Sequence, residues 1–175
     1  FLGFIIGFFA AIPFWIVENV GNLIDNQRGA TMGEVYSPLN GSQVSTFGIF
    51  FSQIASYAKA ENYKHVIYEL CGEPGSENWT NIKDFASAVI PSIQTNDEGA
   101  LMIVAKPQWC QLIEAAVDKE VAEGAYKDVL LYSFHYSACN HLQFLPKLKS
   151  VSTSLPVVVS EWTAVDYDGT SDEIV

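Results

Sequence analysis

Val66-Ile67-Tyr68-Glu69-Leu70-Cys71-Gly72-Glu73-Pro74 reads as a short apolar strand that ends by presenting a glutamate, and Val157-Val158-Val159-Ser160-Glu161-Trp162 repeats the design 88 positions (161 − 73) further on. A carboxylate at the end of a buried strand costs stability unless it is hydrogen-bonded or paired. Two such placements in one chain point to a paired-acid site, where different surroundings give two carboxyls different roles.

The residues between these strings alternate strand and helix patterns. Phe50, Phe51, Ile54, Tyr57 and Ala58 recur at helical spacing and predict a helix over Phe47 to Ala60. After the strand Val66 to Leu70, Asn78 or Thr80 can cap a helix whose Ile82, Phe85, Ala86, Val89 and Ile93 share one face, with Pro91 expected to bend it. Asn96 to Gly99 is a turn signal, and Leu101 to Ala105 is a continuous apolar run, as expected of a parallel strand covered on both faces. Trp109 to Ala122 is partly helical, Val129 to Phe134 a third strand, His141 to Lys149 a short helix, and Val157 to Ser160 a fourth strand.

Successive βα-units with right-handed crossovers close into either a doubly wound sheet or a (β/α)8 barrel. No glycine-rich phosphate loop follows any strand here, which removes the commonest doubly wound signature. Glu73, Trp109, His135 and Glu161 stand just after, or at the end of, the four strands. A barrel gathers the C-terminal ends of its strands at one rim, so these side chains would converge. The predicted fold is therefore α/β, of the (β/α)8 TIM-barrel type.

Composition narrows the partners. A formal charge of −11, with nine Lys plus Arg in 175 residues, opposes binding to nucleic acid, whose phosphates would be repelled. Arg28 is the only arginine, which leaves little for bidentate capture of phosphate or carboxylate, whereas neutral sugars need no such clamp. Cys71, Cys110 and Cys139 show no CxxC spacing, signal no zinc site, allow at most one bridge, and read as small buried or half-buried fillers. Asn40-Gly41-Ser42 and Asn78-Trp79-Thr80 match the short N-glycosylation pattern. The uncharged residues 1–17 are shorter than the roughly 20 needed to span a bilayer and carry Gly3, Gly7 and Pro13. A signal-peptide core and a buried barrel strand remain open there, and the strand is preferred; the chain looks cut from something longer. Asp25 to Thr46 is a long polar loop region.

Taken together, Val66 to Pro74, Trp79, Ile82-Lys83, Ala86, Pro107-x-Trp109-x-Gln111, Phe134-His135 with His141, and Ser160-Glu161-Trp162 resemble the cellulase branch of glycoside hydrolase family 5. The order and spacing agree over residues 46 to 168. The resemblance implies that Glu73 is the acid/base and Glu161 the nucleophile of a retaining hydrolase, and that the strands are about the fourth to seventh of an incomplete barrel. It also implies that neither cofactor nor metal is needed, that the substrate is a β-linked polysaccharide or oligosaccharide, and that the protein is secreted; a monomer without a membrane span is expected. Residues 46–175 would carry the βα-units of a single partial catalytic domain, with 1–45 as its N-terminal region.

Other residues join the candidate site. Trp109 and Trp162 can stack on sugar rings, as amphipathic aromatics at a half-wet rim do. His135 aligns with a family histidine, and as a neutral imidazole it could donate to the nucleophile or a sugar hydroxyl. Tyr136 and His141 complete the substrate-binding set. Glu69 reads as a buried, ion-paired structural residue, Trp15 and Trp79 as packing residues, and His65 as a solvated turn residue. Two positions depart from the family: Gly72 stands where it has an asparagine that bonds the sugar 2-hydroxyl, and Ser137 where it has a tyrosine bonded to the nucleophile. These departures define an alternative, a catalytically weak or inactive carbohydrate-binding homologue.

Overall fold

The computed structural model describes residues 15–17, 41–74 and 77–166. Its elements in chain order are β1 (Trp15–Val17), α1 (Gly41–Ala60), β2 (Val66–Glu69), α2 (Trp79–Gln94), β3 (Leu101–Val104), β4 (Leu130–Ser137), α3 (Leu145–Val151) and β5 (Val157–Thr163). The five strands form one sheet in the order β1-β2-β3-β4-β5, every pair parallel. A doubly wound sheet reverses its strand order at a switch point. Strictly sequential neighbours are the singly wound order of a (β/α)8 barrel, of which this sheet builds an incomplete arc.

The four strands expected between 66 and 160 are all present, with two running longer than their apolar cores. β4 extends to Ser137 and β5 to Thr163, because they pair with one another beyond Phe134. Neighbouring backbone thus supports strand where the sequence turns polar. α1 starts at Gly41, so the end of the polar loop region is helical; residues 25–40 lie outside the described residues, as do 1–14, Arg28, Asn40 and the side chain of Trp15. Between β3 and β4 the expected partial helix is two single 3₁₀ turns, Ile113–Ala116 and Val121–Gly124.

α2 begins where Asn78 caps it, its side chain accepting a bond from the Asn81 N–H at 3.0 Å. Its apolar stripe, Ile82, Phe85, Ala86, Val89, Ile90 and Ile93, is wholly buried, and Phe47 of α1 meets Phe85 edge-on at 5.5 Å. Trp79 packs as expected against Tyr132 and donates its indole N–H to the Lys119 carbonyl at 2.9 Å. Tyr68, fully buried in β2, donates its hydroxyl to Asp97 at 2.8 Å; burial, then that bond and the Asp97 charge, raise its pKa. Glu69 is buried and His65 exposed. Cys71 and Cys110 are buried, Cys139 is half-buried, and none of the three forms a disulfide. No helix among the described residues is long and apolar enough to cross a membrane.

Lys106, just beyond β3, was not singled out by the sequence. It has no exposed surface, and its ammonium donates to the Ile113 carbonyl at 3.4 Å. Burial lowers its pKa to about 8, against the opposing pull of Cys110 and Glu114. A base whose pKa is depressed by folding penalises the fold fully below its folded value, and the penalty fades as pH rises towards the unfolded value. Lys106→Met, which keeps the stem and removes the charge, should therefore stabilise the chain by about 1–3 kcal/mol at pH 7. Urea melts should show that gain shrinking between pH 8 and 10.5.

Candidate active site

The C-terminal ends of β2 to β5 open onto a cleft of about 840 Å³. Glu73, Trp109, His135, Tyr136, His141, Glu161 and Trp162 all line it, together with Gln111, Ser137, Asn140, Gln143, Phe144 and Thr163. A second hollow, about 450 Å³, lies at the opposite ends of β2 and β3 among Lys59, His65, Asp97 and Leu101 and contains no Glu–His–Glu cluster.

Three groups form the centre. His135 Nδ1 lies 2.9 Å from Glu73 Oε1 and 3.7 Å from Glu161 Oε2, while its Nε2 lies 3.2 Å from the Ser160 hydroxyl. One carboxylate oxygen from each glutamate and one His135 nitrogen fall within 4.8 Å of one another. The imidazole is buried, 6% exposed, whereas each carboxylate side chain is 46% exposed. The acids therefore stand at the mouth of the cleft rather than inside the wall.

A bulge in β5 produces this convergence. Phe134 pairs with Val159, but the next residue, His135, pairs with Glu161, so β5 carries Ser160 as an extra residue. Side chains alternate along a strand, and a one-residue offset moves them to the other face. The extra residue sets Glu161 beside His135 and Trp162 beside Tyr136.

Burial by itself would lower the pKa of His135. Hydrogen bonds to Cys110 and Glu73, with electrostatic attraction to Cys110 and Glu161, outweigh it and push the pKa up to about 11. These contacts favour the protonated ring, in which both nitrogens donate, over the neutral ring expected. The cluster is spaced for a cation, which would have to displace the proton from His135 to bind there. A base whose pKa rises on folding contributes stability that is complete below the unfolded value and is lost as pH climbs through the folded one. Stability should consequently fall between pH 6.5 and 8 by up to about 1.4 kcal/mol per pH unit, and His135→Gln should flatten that slope. Lys106 acts oppositely only above 8. His141, its pKa lowered chiefly by burial and then by the His135 charge, against a bond that raises it, acts below 6.5.

His141 is held by structure on both sides. Its Nδ1 accepts from the Ser137 N–H at 2.8 Å, so Nε2 carries the proton of the neutral ring and points at the Gln111 side-chain amide 2.9 Å away, whose oxygen is the atom able to accept it. Ser137 is buried, its hydroxyl 2.7 Å from the Val165 carbonyl and 3.0 Å from Asn140 Oδ1, turned into its own turn. Trp109 is 53% exposed and Trp162 72% exposed, both flanking the acids. The sequence reading omitted Ser160, Gln111 and Cys110 from the site; the first two stand inside the quoted motifs, one position before Glu161 and two after Trp109.

With this geometry the likeness to known proteins has a physical basis. The chain is 35% identical over 125 residues, 69% of its length and 26% of the relative's, to an endoglucanase of Clostridium saccharobutylicum. It superposes on the catalytic domain of Thermobifida fusca endoglucanase Cel5A with a TM-score of 0.64 at 28% identity, over 75% of this chain and 44% of that one. The chain carries part of a family 5 cellulase-type catalytic domain. It spans about a quarter of the length of the curated endoglucanases it matches. Residues 1–59 match a different family, the bacterial export proteins, family 1. The secretion system apparatus protein SsaT of Salmonella typhimurium is 50% identical over 52 residues, 30% of this chain and 20% of that protein. The export-type match ends at residue 59, inside α1.

Proposed function

We propose that residues 46–175 act as a retaining endo-β-glucanase, with Glu73 as acid/base and Glu161 as nucleophile. The observation that carries the reading is the close approach of the two carboxylates, with oxygens within 4.8 Å. Retaining glycosidases hold their carboxyls about 5–5.5 Å apart, whereas inverting ones leave about 6.5–9.5 Å for a water between them. In the first step Glu73 protonates the departing oxygen while Glu161 attacks the anomeric carbon; in the second Glu73 takes a proton from water, which displaces Glu161. His135, 2.9 Å from Glu73 and 3.7 Å from Glu161, orients both carboxyls. Trp109 and Trp162 offer indole faces to successive sugar rings. The relatives named endoglucanases support a β-linked glucan as substrate, and an extracellular site of action and a monomeric state accompany that reading.

The deciding experiment follows the anomer released from a soluble β-glucan by proton NMR. Initial β-product supports the proposal, and initial α-product overturns it. A second reading, a carbohydrate-binding homologue with little turnover, is favoured by Gly72 and by the Ser137 hydroxyl, which is spent on Val165. It predicts oligosaccharide binding by titration calorimetry without product.

A further inference from the structure

Gln108, Trp109 and Cys110 are three consecutive residues with positive φ, at 56°, 52° and 62°. A non-glycine residue in this conformation is strained and persists only where its surroundings hold it. Besides the bonds within the turn, among them Cys110 N–H to the Lys106 carbonyl at 3.1 Å, two of the holding bonds reach the loop that carries Glu73. The Trp109 N–H donates to the Pro74 carbonyl at 2.8 Å, and the Cys110 thiol donates to the Gly72 carbonyl at 3.3 Å. The carbonyls on either side of Glu73 are therefore both bound by neighbouring residues of one left-handed turn. The thiol in turn accepts from the Ser133 hydroxyl at 2.9 Å and from the Lys106 N–H at 3.4 Å, which ties it to β4 two residues before His135 and to the exit of β3.

We propose that this turn is the positioning element of Glu73, with Cys110 its anchor, so that the acid/base and the Trp109 sugar platform are set as one unit. Cys110 touches no substrate. Beside its bond to His135, it fixes the backbone before Glu73, and the left-handed conformation is what lets the Trp109 amide and the Cys110 side chain face the same loop. The inference rests on the acid/base reading of Glu73 and adds the device that aims it.

The test uses the leaving group. Cys110→Ala should slow glycosyl transfer from an unactivated cello-oligosaccharide by about tenfold or more, because a misplaced acid loses part of the 10²–10⁴ that proton transfer supplies. The burst of phenolate from a dinitrophenyl cellobioside, whose leaving group needs no proton, should stay within about threefold. Cys110→Ser, whose hydroxyl can still donate to Gly72, should recover most of the loss. Independently of turnover, hydrogen exchange of the Trp109 amide should quicken about tenfold in Cys110→Ala while β4 amides keep their rates. Equal losses on both substrates, or an unchanged Trp109 exchange rate, would overturn the proposal. Should the unaltered chain cleave neither substrate, the glucanase reading fails, and Trp109 exchange alone decides whether the turn is anchored through Cys110. Ser133→Ala, which removes one partner of the thiol, should show a smaller change of the same kind and serves if Cys110→Ala does not fold.

Discussion

Glu161→Gln should abolish covalent labelling by a 2-deoxy-2-fluoroglycoside and reduce glucan hydrolysis on the order of 10⁴-fold or more. The amide is close to the carboxylate in shape, so the cleft should survive, but it cannot form the glycosyl ester. Mass spectrometry of the intact chain would read the outcome, the unaltered protein gaining one sugar and the variant none. Undiminished labelling would remove Glu161 from the nucleophile role. Glu161 lies on β5 at the cleft mouth, 46% exposed, with its Oε2 3.7 Å from His135 Nδ1. Half-exposure leaves the carboxylate accessible to an incoming anomeric carbon.

That placement also shows where sequence reading succeeded and where it stopped. The runs 101–105 and 129–134 became the largely buried β3 and β4, where continuous hydrophobicity suffices, and 66–70 and 157–160 became β2 and β5, the latter with no buried residue and held by its pairing to β4. The stripe of α2 and its Asn78 cap were legible for the same local reason. Rim position made Glu73, Trp109, His135 and Glu161 legible as a group, since topology alone brings strand ends together. The bulge at Ser160 was not legible. A strict alternation would pair Ser160 with His135 and set Glu161 beside Tyr136; only the registered sheet reveals the extra residue. Nor was the left-handed turn, because Gln108, Trp109 and Cys110 carry none of the glycine or asparagine that usually marks positive φ. The charge of His135 depends on Glu73, Cys110 and Glu161, three residues far apart in sequence, and so belongs to the fold alone. The uncharged run 1–17 illustrates a different limit. Lack of charge is shared by buried strands, leaders and membrane-associated proteins, and the export-family match over 1–59 came from residue identity, not composition.

Replacing Glu73 by glutamine should separate the two chemical steps. Hydrolysis of unactivated glucan is expected to fall by about 10²–10⁴, the contribution of a positioned proton donor, while labelling of Glu161 by an activated fluoroglycoside persists. Azide, a nucleophile that needs no base, should restore turnover of a dinitrophenyl cellobioside and yield the β-glycosyl azide; loss of labelling together with failure of azide would place Glu73 in some other role. Two neighbours set the scale of this effect. His135 Nδ1 at 2.9 Å orients Glu73, and Gly72 leaves the sugar 2-hydroxyl without the side-chain amide that strengthens its hold in the transition state. Gly72→Asn supplies that amide, but it alters the residue whose carbonyl accepts from Cys110. Its expected gain in kcat/KM therefore depends on the backbone at 72 holding still, and Trp109 amide exchange in the same variant measures whether it does. A rise in activity with unchanged exchange identifies the missing amide as the deficiency; a fall with faster exchange identifies the Cys110 anchor as the stronger constraint.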